Sequence, residues 1–359
     1  MERLCCIDCF TYNSVKKYII ESGLGENYCD FCQKKSPYCI EPSELADMFH
    51  CLIDLYDDVN DFLPTSILEG YEGYTIVERL LQEWEPFTID TFDAAEDLLS
   101  SIFGRPHIKY GGGIDTDSWV ENKDEYWGIS EEFNTKLTKE WEEFCDELIY
   151  KNRFFPSTCP NLKMLCSSNI LNTCYPKGQK FYRARVCREP KKIEPKKMGA
   201  PPINCSKNGR ANPKGIPYLY LASDLYTAIY EIHPNINSFI TIGVFKAIDE
   251  LSIFDLTSPR IEDPLVHGYD LANIIQNLAF FRMLGDQLSI PIDKENTDLQ
   301  YIPSQYLCEF IKNEGYDGIA YKSSIGKGHN VALFQNTKTK CTRSYLYKID
   351  ANPEKINKY

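Results

Sequence analysis

Two Cys-x2-Cys pairs, Cys6/Cys9 and Cys29/Cys32, stand near the start of this 359-residue chain with nineteen residues between them. Each pair can chelate from a tight turn, and two pairs at this spacing supply the four thiolates of one tetrahedral Zn²⁺. Four sulfur ligands leave no open coordination position, so the expected ion is structural rather than catalytic. A segment this short buries too little apolar surface to fold unaided, so residues 1–40 are expected to form a zinc ribbon-like module stabilised by its metal. A short helix, about Ser14–Glu21 and stopped by Gly23, fits between the pairs, and Cys5 and Cys39 are spare ligand candidates. The opening MERLCCIDCF lacks the apolar run of a signal peptide, and no stretch is long and apolar enough to span a membrane. The fifteen cysteines are therefore read in a reducing cytoplasm, where metal ligation or burial is expected before disulfides.

Charge divides the chain. Residues 1–150 hold 33 acidic and 11 basic side chains, a balance of −22, whereas the remaining 209 residues hold 19 and 28, or +9. The first part repels polyanions, and the second is too weakly basic to argue for a nucleic-acid partner. Residues 41–155 read as an acidic helical domain. Ser43 is the expected N-cap of a helix carrying Leu45, Met48, Phe49, Leu52, Ile53, Tyr56 and Val59. Thr75 and Glu78 form a capping box before a helix ending near Trp84, and another helix runs from about Phe92 to Phe103. A last one starts at Ser130 and carries Phe133, Leu137, Trp141, Phe144 and Leu148 on one stripe. Gly111-Gly112-Gly113 does not sit between a clear strand and helix, so it is not read as a phosphate loop. These stripes are core, with no catalytic constellation among them.

After Tyr150 prolines punctuate a connector, and residues 160–350 turn to short segments rich in β-branched and aromatic residues. Strands are expected at Phe181–Val186, Tyr218–Ala222, Phe239–Phe245, Leu251–Phe254, Gly318–Lys322 and Val331–Gln335. Helices are expected at about Asp224–Ile232, Asp270–Leu284 and Ser304–Asn313. The two kinds mix without strict alternation, which indicates an α+β domain rather than a doubly wound sheet. The expected architecture is therefore multidomain: zinc module, helical region, α+β domain.

Chemistry-bearing residues gather in that last domain. Arg183 and Arg185 share parity on one strand and so point to one face. The turn-prone GRANPKG stretch carries Arg210 and leads into a strand with Tyr220. Glu231 ends the next helix among Ala228, Ile229 and Ile232, where an unpaired carboxylate is expensive to bury. Ser323, Ser324 and Asn330 flank a glycine-rich turn between two strands. Arginine forks grip phosphate oxygens, tyrosine offers a ring and a hydroxyl, and a carboxylate stabilises positive charge developing at an anomeric carbon. The set suits a phosphorylated nucleotide with a scissile glycosidic bond, and that chemistry needs no metal.

In the order FYRAR, GRANPKGIPYLYLASDLYTAIYE, FDLT, YIPSQYLCEFIKNEGYDGIAYKSS and HNVALF, residues from about Phe181 to Phe334 resemble a RES domain. The resemblance implies an ADP-ribosyltransferase-like fold and a toxin-like enzyme that takes NAD⁺ as substrate and cleaves its nicotinamide–ribose bond, as a glycohydrolase or as a phosphorylase using phosphate. A mono-ADP-ribosyltransferase acting on a protein is the alternative. It further implies Glu231 as the central carboxylate with Arg210 and Ser323 catalytic, and Arg183, Tyr220 and Asn330 binding the dinucleotide, with Arg185 and Ser324 standing in for Arg183 and Ser323. The zinc pairs and acidic helices resemble the HEPN-like region fused to some RES proteins. No Arg lies five residues before any histidine, so the R-x4-H signature of HEPN ribonucleases is absent. A role in growth arrest or anti-phage defence, an antitoxin or other protein inhibitor, and a homo-oligomer are what the resemblance leaves to be tested.

Overall fold

Period-2 and period-3.6 patterns each find their partners inside two separately packed units, Met1–Phe133 with Ile261–Asn277, and Asn134–Arg260 with Leu278–Tyr359. A computed structural model describes residues 3–58, 74–89, 91–103, 119–122, 136–167, 170–289, 297–349 and 356–358. No helix among them is long and apolar enough to cross a membrane.

In the first unit, β1 (Cys5–Cys6) pairs with β4 (Cys39–Ile40) and β2 (Asn27–Tyr28) with β3 (Lys35–Ser36), all antiparallel. Strands β5 (Tyr56–Asp58), β6 (Tyr74–Thr75) and β7 (Trp119–Asn122) make a small sheet in the order β5-β7-β6. Helices α1 (Asn13–Ser22), α2 (Ala46–Ile53), α3 (Ile76–Glu83) and α4 (Phe92–Phe103) accompany them. Phe10, Phe49 and Phe87 are mutually in contact in the core, with ring centroids 5.7 to 6.2 Å apart. The expected capping box is present: Glu78 N donates to Thr75 Oγ1 and Thr75 N to Glu78 Oε2. Tyr12 gives α1 no side-chain cap, and Asp263 supplies one from far along the chain, accepting from Ser14 N at 2.9 Å and Ser14 Oγ at 2.8 Å. The helix expected from Ser43 through Val59 is shorter than its apolar spacing indicated. Pro42 opens a 3₁₀ turn (Pro42–Leu45), α2 ends at Ile53, and Tyr56 enters β5, where its hydroxyl bonds Glu83. Val59, the Gly111–Gly113 run, Ser130 and Phe133 lie outside the described residues.

The second unit opens with α5 (Lys136–Tyr150) and α6 (Lys163–Ser167). Its strands are β8 (Asn172–Tyr175), β9 (Lys180–Cys187), β10 (Leu219–Ala222), β11 (Phe239–Ala247), β12 (Leu251–Asp255), β13 (Gly318–Lys322), β14 (His329–Leu333), β15 (Thr339–Ile349) and β16 (Ile356–Lys358). They form one sheet in the order β16-β15-β11-β9-β10-β14-β13-β12-β8, antiparallel except for β12 and β13. Among these strands run α7 (Leu225–Tyr230), α8 (Leu271–Ser289, in this unit from Leu278 onward), α9 (Thr297–Gln300) and α10 (Ile302–Asn313). Trp141, Phe144, Phe280, Phe281 and Leu307 pack with Phe254, Ile319 and Ala332 of the sheet and with Phe334 just beyond β14. Leu219, Leu221, Val331 and Leu333 point away from that core and join Phe181, Met198 and Phe245. Ala228 and Ile229 of α7 pack with Ala184, Ala222 and Ile240. β9 and β10 share a single register pair, Tyr182 with Ala222, and part beyond it.

Glu147, in the last turn of α5 and 6% exposed, ties down the connector that follows. Its carboxylate accepts from Ser157 N and Oγ at 2.7 and 2.8 Å and from Thr158 N and Oγ1 at 3.0 and 2.6 Å. Those donors pull its pKa from 4.5 down to about 2. A lowered folded-state pKa contributes stability that is present above 4.5 and is lost as pH falls toward 2. Glu147→Ala is therefore expected to lower the thermal midpoint at neutral pH and to weaken the fall in stability between those two pH values. Urea unfolding of wild type and variant across that range checks it.

Candidate active site

Where β9 and β10 part, the second unit holds a cavity of about 260 Å³. Its floor is one rung across four strands: Tyr182 of β9 faces Ala222 of β10, Ala222 faces Asn330 of β14, and Asn330 faces Tyr321 of β13. All four line the space, together with Arg183, Tyr220 and Glu231.

The carboxylate comes from α7. Asp224 caps this six-residue helix by accepting from Thr227 N, and Glu231 follows as its C-cap. A helix C-terminus disfavours negative charge and offers no backbone N–H, so Glu231 is held from the neighbouring hairpin instead. Ser323 Oγ and Asn330 Nδ2 each donate to Glu231 Oε1 at 2.7 Å. Glu231 is exposed despite its apolar neighbours, because its side chain faces the open cavity, so the cost of burying a carboxylate is not incurred. The β13–β14 turn is seated on the other end of α7 through Gly328 N to Thr227 Oγ1 (3.1 Å) and His329 N to Ser223 Oγ (3.0 Å). A Cβ on Gly328 would meet Asp224 Oδ2 at 2.0 Å, which explains the glycine.

Arg183 supplies the cation. Its Nη1 donates to Gly199 O at 2.8 Å, and it has no ion-pair partner among the described residues. Burial, and then the neighbouring charge of Arg185, push its pKa down from 12.5 to about 10. A guanidinium in that state gains by receiving an anion. Arg185 bonds Lys197 O at 2.9 Å. Arg210 is outside the lining: its Nη1 donates to the last carbonyls of α8, Leu288 O and Ser289 O, both at 2.7 Å. Tyr220 presents its ring, since its hydroxyl donates to Asn212 Oδ1 at 2.7 Å and accepts from Ala211 N at 3.2 Å. Gln305 anchors that loop through Gly209 O and Asn212 O. The lining thus gathers Arg183, Tyr220, Glu231 and Asn330, Ser323 joins them through its bond to Glu231, and Arg185, Arg210 and the exposed Ser324 stand apart. Tyr182 and Tyr321 are lining residues that the motif reading did not include. Their strand positions in register with Ala222 and Asn330 mark them, once the pairing is known.

The second site lies in the first unit. The Sγ atoms of Cys6, Cys9, Cys29 and Cys32 all fall within 4.8 Å of one another. Three of the separations are 3.8 Å (Cys6–Cys9), 3.5 Å (Cys6–Cys32) and 3.4 Å (Cys9–Cys29). A tetrahedron with Zn–S bonds of about 2.3 Å has edges of about 3.8 Å, so the donor set and its spacing fit an ion held by four thiolates. Cys5 and Cys39 are buried outside the cluster, each with its thiol directed at a backbone carbonyl.

A nine-stranded α+β unit with a carboxylate and a guanidinium in one cavity, joined to a small helical unit bearing a four-cysteine cluster, is the class these features define. Residues 180–350 match the RES domain family, and residues 23–159 match HEPN/RES N-terminal domain 1. The chain is a RES-domain protein with a HEPN/RES N-terminal domain. No curated protein matches it. A solved structure that does is the crystal structure of the M.tuberculosis MbcT-MbcA toxin-antitoxin complex, at 12% identity over 53% of this chain and 93% of that chain, with a TM-score of 0.29.

The Tyr220 shelf depends on Gly209, where a Cβ would lie 2.6 Å from both Asn212 Oδ1 and Tyr220 Oη. Gly209→Ala is expected to cost about 1–3 kcal/mol by overpacking, read as a shift in the urea unfolding midpoint. An unchanged midpoint would mean that the loop does not hold Tyr220 in this way.

Proposed function

We propose that the chain is an NAD⁺-consuming enzyme that breaks the nicotinamide–ribose bond, with water or phosphate as acceptor. The observation that carries this reading is one cavity presenting Arg183 and the Ser323- and Asn330-held carboxylate of Glu231; membership of the RES family supports it. In this reading Arg183, with Arg185 on the same strand face, takes the pyrophosphate, and the ring of Tyr220 packs on the nicotinamide end. Arg210 braces the wall through its bonds to α8. The C1′–N bond breaks, its electron pair neutralises the pyridinium nitrogen, and nicotinamide leaves. Glu231 stabilises the positive charge spread over C1′ and the ring oxygen. A water or phosphate oxygen then bonds C1′, and where water attacks, its proton passes to Glu231 or to solvent.

Incubating the full chain with NAD⁺, with and without phosphate, tests this by following nicotinamide and the sugar product. ADP-ribosyl phosphate appearing with phosphate identifies a phosphorylase, and ADP-ribose without it a glycohydrolase. Nicotinamide released only with labelling of a protein substrate favours the mono-ADP-ribosyltransferase alternative. Glu231→Ala is expected to lower kcat by about 10²–10³-fold, the scale of losing one electrostatic transition-state contact, with the fold intact by circular dichroism. Near-normal turnover in that variant removes Glu231 from the mechanism.

Cys6, Cys9, Cys29 and Cys32 hold a structural Zn²⁺ in this reading, consistent with their spacing. The purified chain should carry about one zinc per molecule by elemental analysis, since a closed site of four thiolates takes a single ion. Cys9→Ser should lose it and loosen residues 1–40 to proteolysis. Unchanged metal content in that variant would exclude the site. The biological setting we infer is a cytoplasmic toxin or anti-phage effector restrained by an antitoxin or other protein inhibitor, because unrestrained NAD⁺ loss is lethal.

A further inference from the structure

The polar wall of the cavity is largely committed to the protein itself. Tyr220 bonds Asn212 and Ala211, Asn330 bonds Glu231, and Arg183 spends one N–H on Gly199 while its remaining donors stay open to an anion. Tyr321 differs. It is 4% exposed, it lines the cavity, and its hydroxyl makes no hydrogen bond to any described residue. A near-buried hydroxyl without a partner is a cost to the folded protein that a ligand acceptor can relieve. The small share of its surface that Tyr321 retains belongs to a residue of the cavity wall.

Its neighbours define what it can meet. In the sheet Tyr321 stands opposite Asn330, whose amide holds Glu231 Oε1 at 2.7 Å. Burial first, then Tyr220 and Glu231, push the Tyr321 pKa well above 10, while Arg210 opposes them. The group is therefore a neutral O–H donor at physiological pH, within the field of the carboxylate. A phosphate is repelled from that place and is better received at Arg183. A sugar hydroxyl is neutral, accepts a hydrogen bond, and lies next to the anomeric carbon that Glu231 must face.

We infer that Tyr321 is a substrate-binding residue whose hydroxyl donates to a ribose hydroxyl oxygen beside the scissile bond, holding the anomeric carbon against Glu231. The inference rests on the NAD⁺ reading above and adds a contact that the sequence motifs do not assign. Hydrogen bonds to sugar hydroxyls strengthen as the ring gains oxocarbenium character, so the contact acts on kcat more than on KM.

Tyr321→Phe in the full chain removes the oxygen and nothing else. Without ligand its thermal midpoint should equal or exceed that of wild type, because an unpaired hydroxyl has been deleted. Its kcat/KM for NAD⁺ should fall by about 10- to 100-fold, mostly in kcat. Calorimetry should show ADP-ribose binding weakened by about tenfold, the scale of one hydrogen bond, with nicotinamide binding unchanged. Rates and ADP-ribose affinity within about twofold of wild type would overturn the inference and leave the NAD⁺ reading standing. A lowered thermal midpoint would overturn it too, by showing that the hydroxyl is structural; weaker nicotinamide binding would move the contact to the carboxamide and overturn the ribose assignment. A wild-type chain that releases no nicotinamide under any acceptor refutes the functional reading itself, and this inference with it.

Discussion

Glu231 sits where a helix gives a carboxylate nothing to hold. α7 ends there, its last carbonyls face the same way, and the charge has to be oriented from elsewhere. The β13–β14 hairpin does this by gripping α7 at both ends. Its turn seats on Ser223 and Thr227 at the helix start, and Ser323 and Asn330 reach Oε1 at the helix end. Hydrogen bonds to a charged group contribute about 1.5–3 kcal/mol each, so two of them fix a side chain that is otherwise free to rotate in solvent. The same contacts set the spacing between α7 and the sheet rung that floors the cavity.

The cation is placed by a different device. Antiparallel strands that stayed paired would close the sheet under the site, but β9 and β10 keep one register pair and separate. Arg183 lies at the parting, partly desolvated, with a lone carbonyl to bond among the described residues. The wall on the other side is rigid because it is satisfied. Asn212 Nδ2 reaches Ser206 Oγ and the carbonyls of Lys207, Pro213 and Ile216, while its Oδ1 accepts from Tyr220. Arg210 closes the end of α8, and Ser304 Oγ in turn bonds Arg210 O. A fixed wall beside an unsatisfied cation is the arrangement that electrostatic preorganisation requires.

Periodicity revealed the elements whose buried faces are apolar. Phe181, Leu219, Ile240, Ile253 and Val331 marked their strands, and α4 runs from Phe92 to Phe103 as its spacing indicates. β15 escaped detection because Thr339 and Ser344 occupy buried positions on it, so its apolar alternation is interrupted. α2 stops short of Tyr56 because the tyrosine hydroxyl has a partner in Glu83, a tertiary preference that local spacing does not encode. The same division holds at the cavity. Ser323 and Ser324 are adjacent hydroxyls in sequence, and in the hairpin it is Ser323 that reaches Glu231. Arg183 and Arg210 look equivalent as motif residues, yet one faces the cavity and the other is spent on carbonyls of α8.

What marks the cavity off from the rest of the unit is the pattern of groups left open. Elsewhere, side chains such as Glu147, Asn212 and Asp224 are saturated. Around the cavity three different chemistries remain available: the guanidinium of Arg183, the neutral hydroxyl of Tyr321, and Oε2 of Glu231, which accepts no bond from a described residue. The three are not interchangeable, since they call for an anion, a neutral acceptor and a centre of positive charge. A dinucleotide with a scissile glycosidic bond carries those three features in that order, as phosphate, ribose hydroxyl and developing oxocarbenium. Tyr220 shows why the distinction matters. It is the same residue type as Tyr321 in the same wall, but its hydroxyl is committed to the loop that holds it, so it can offer a ligand only its ring.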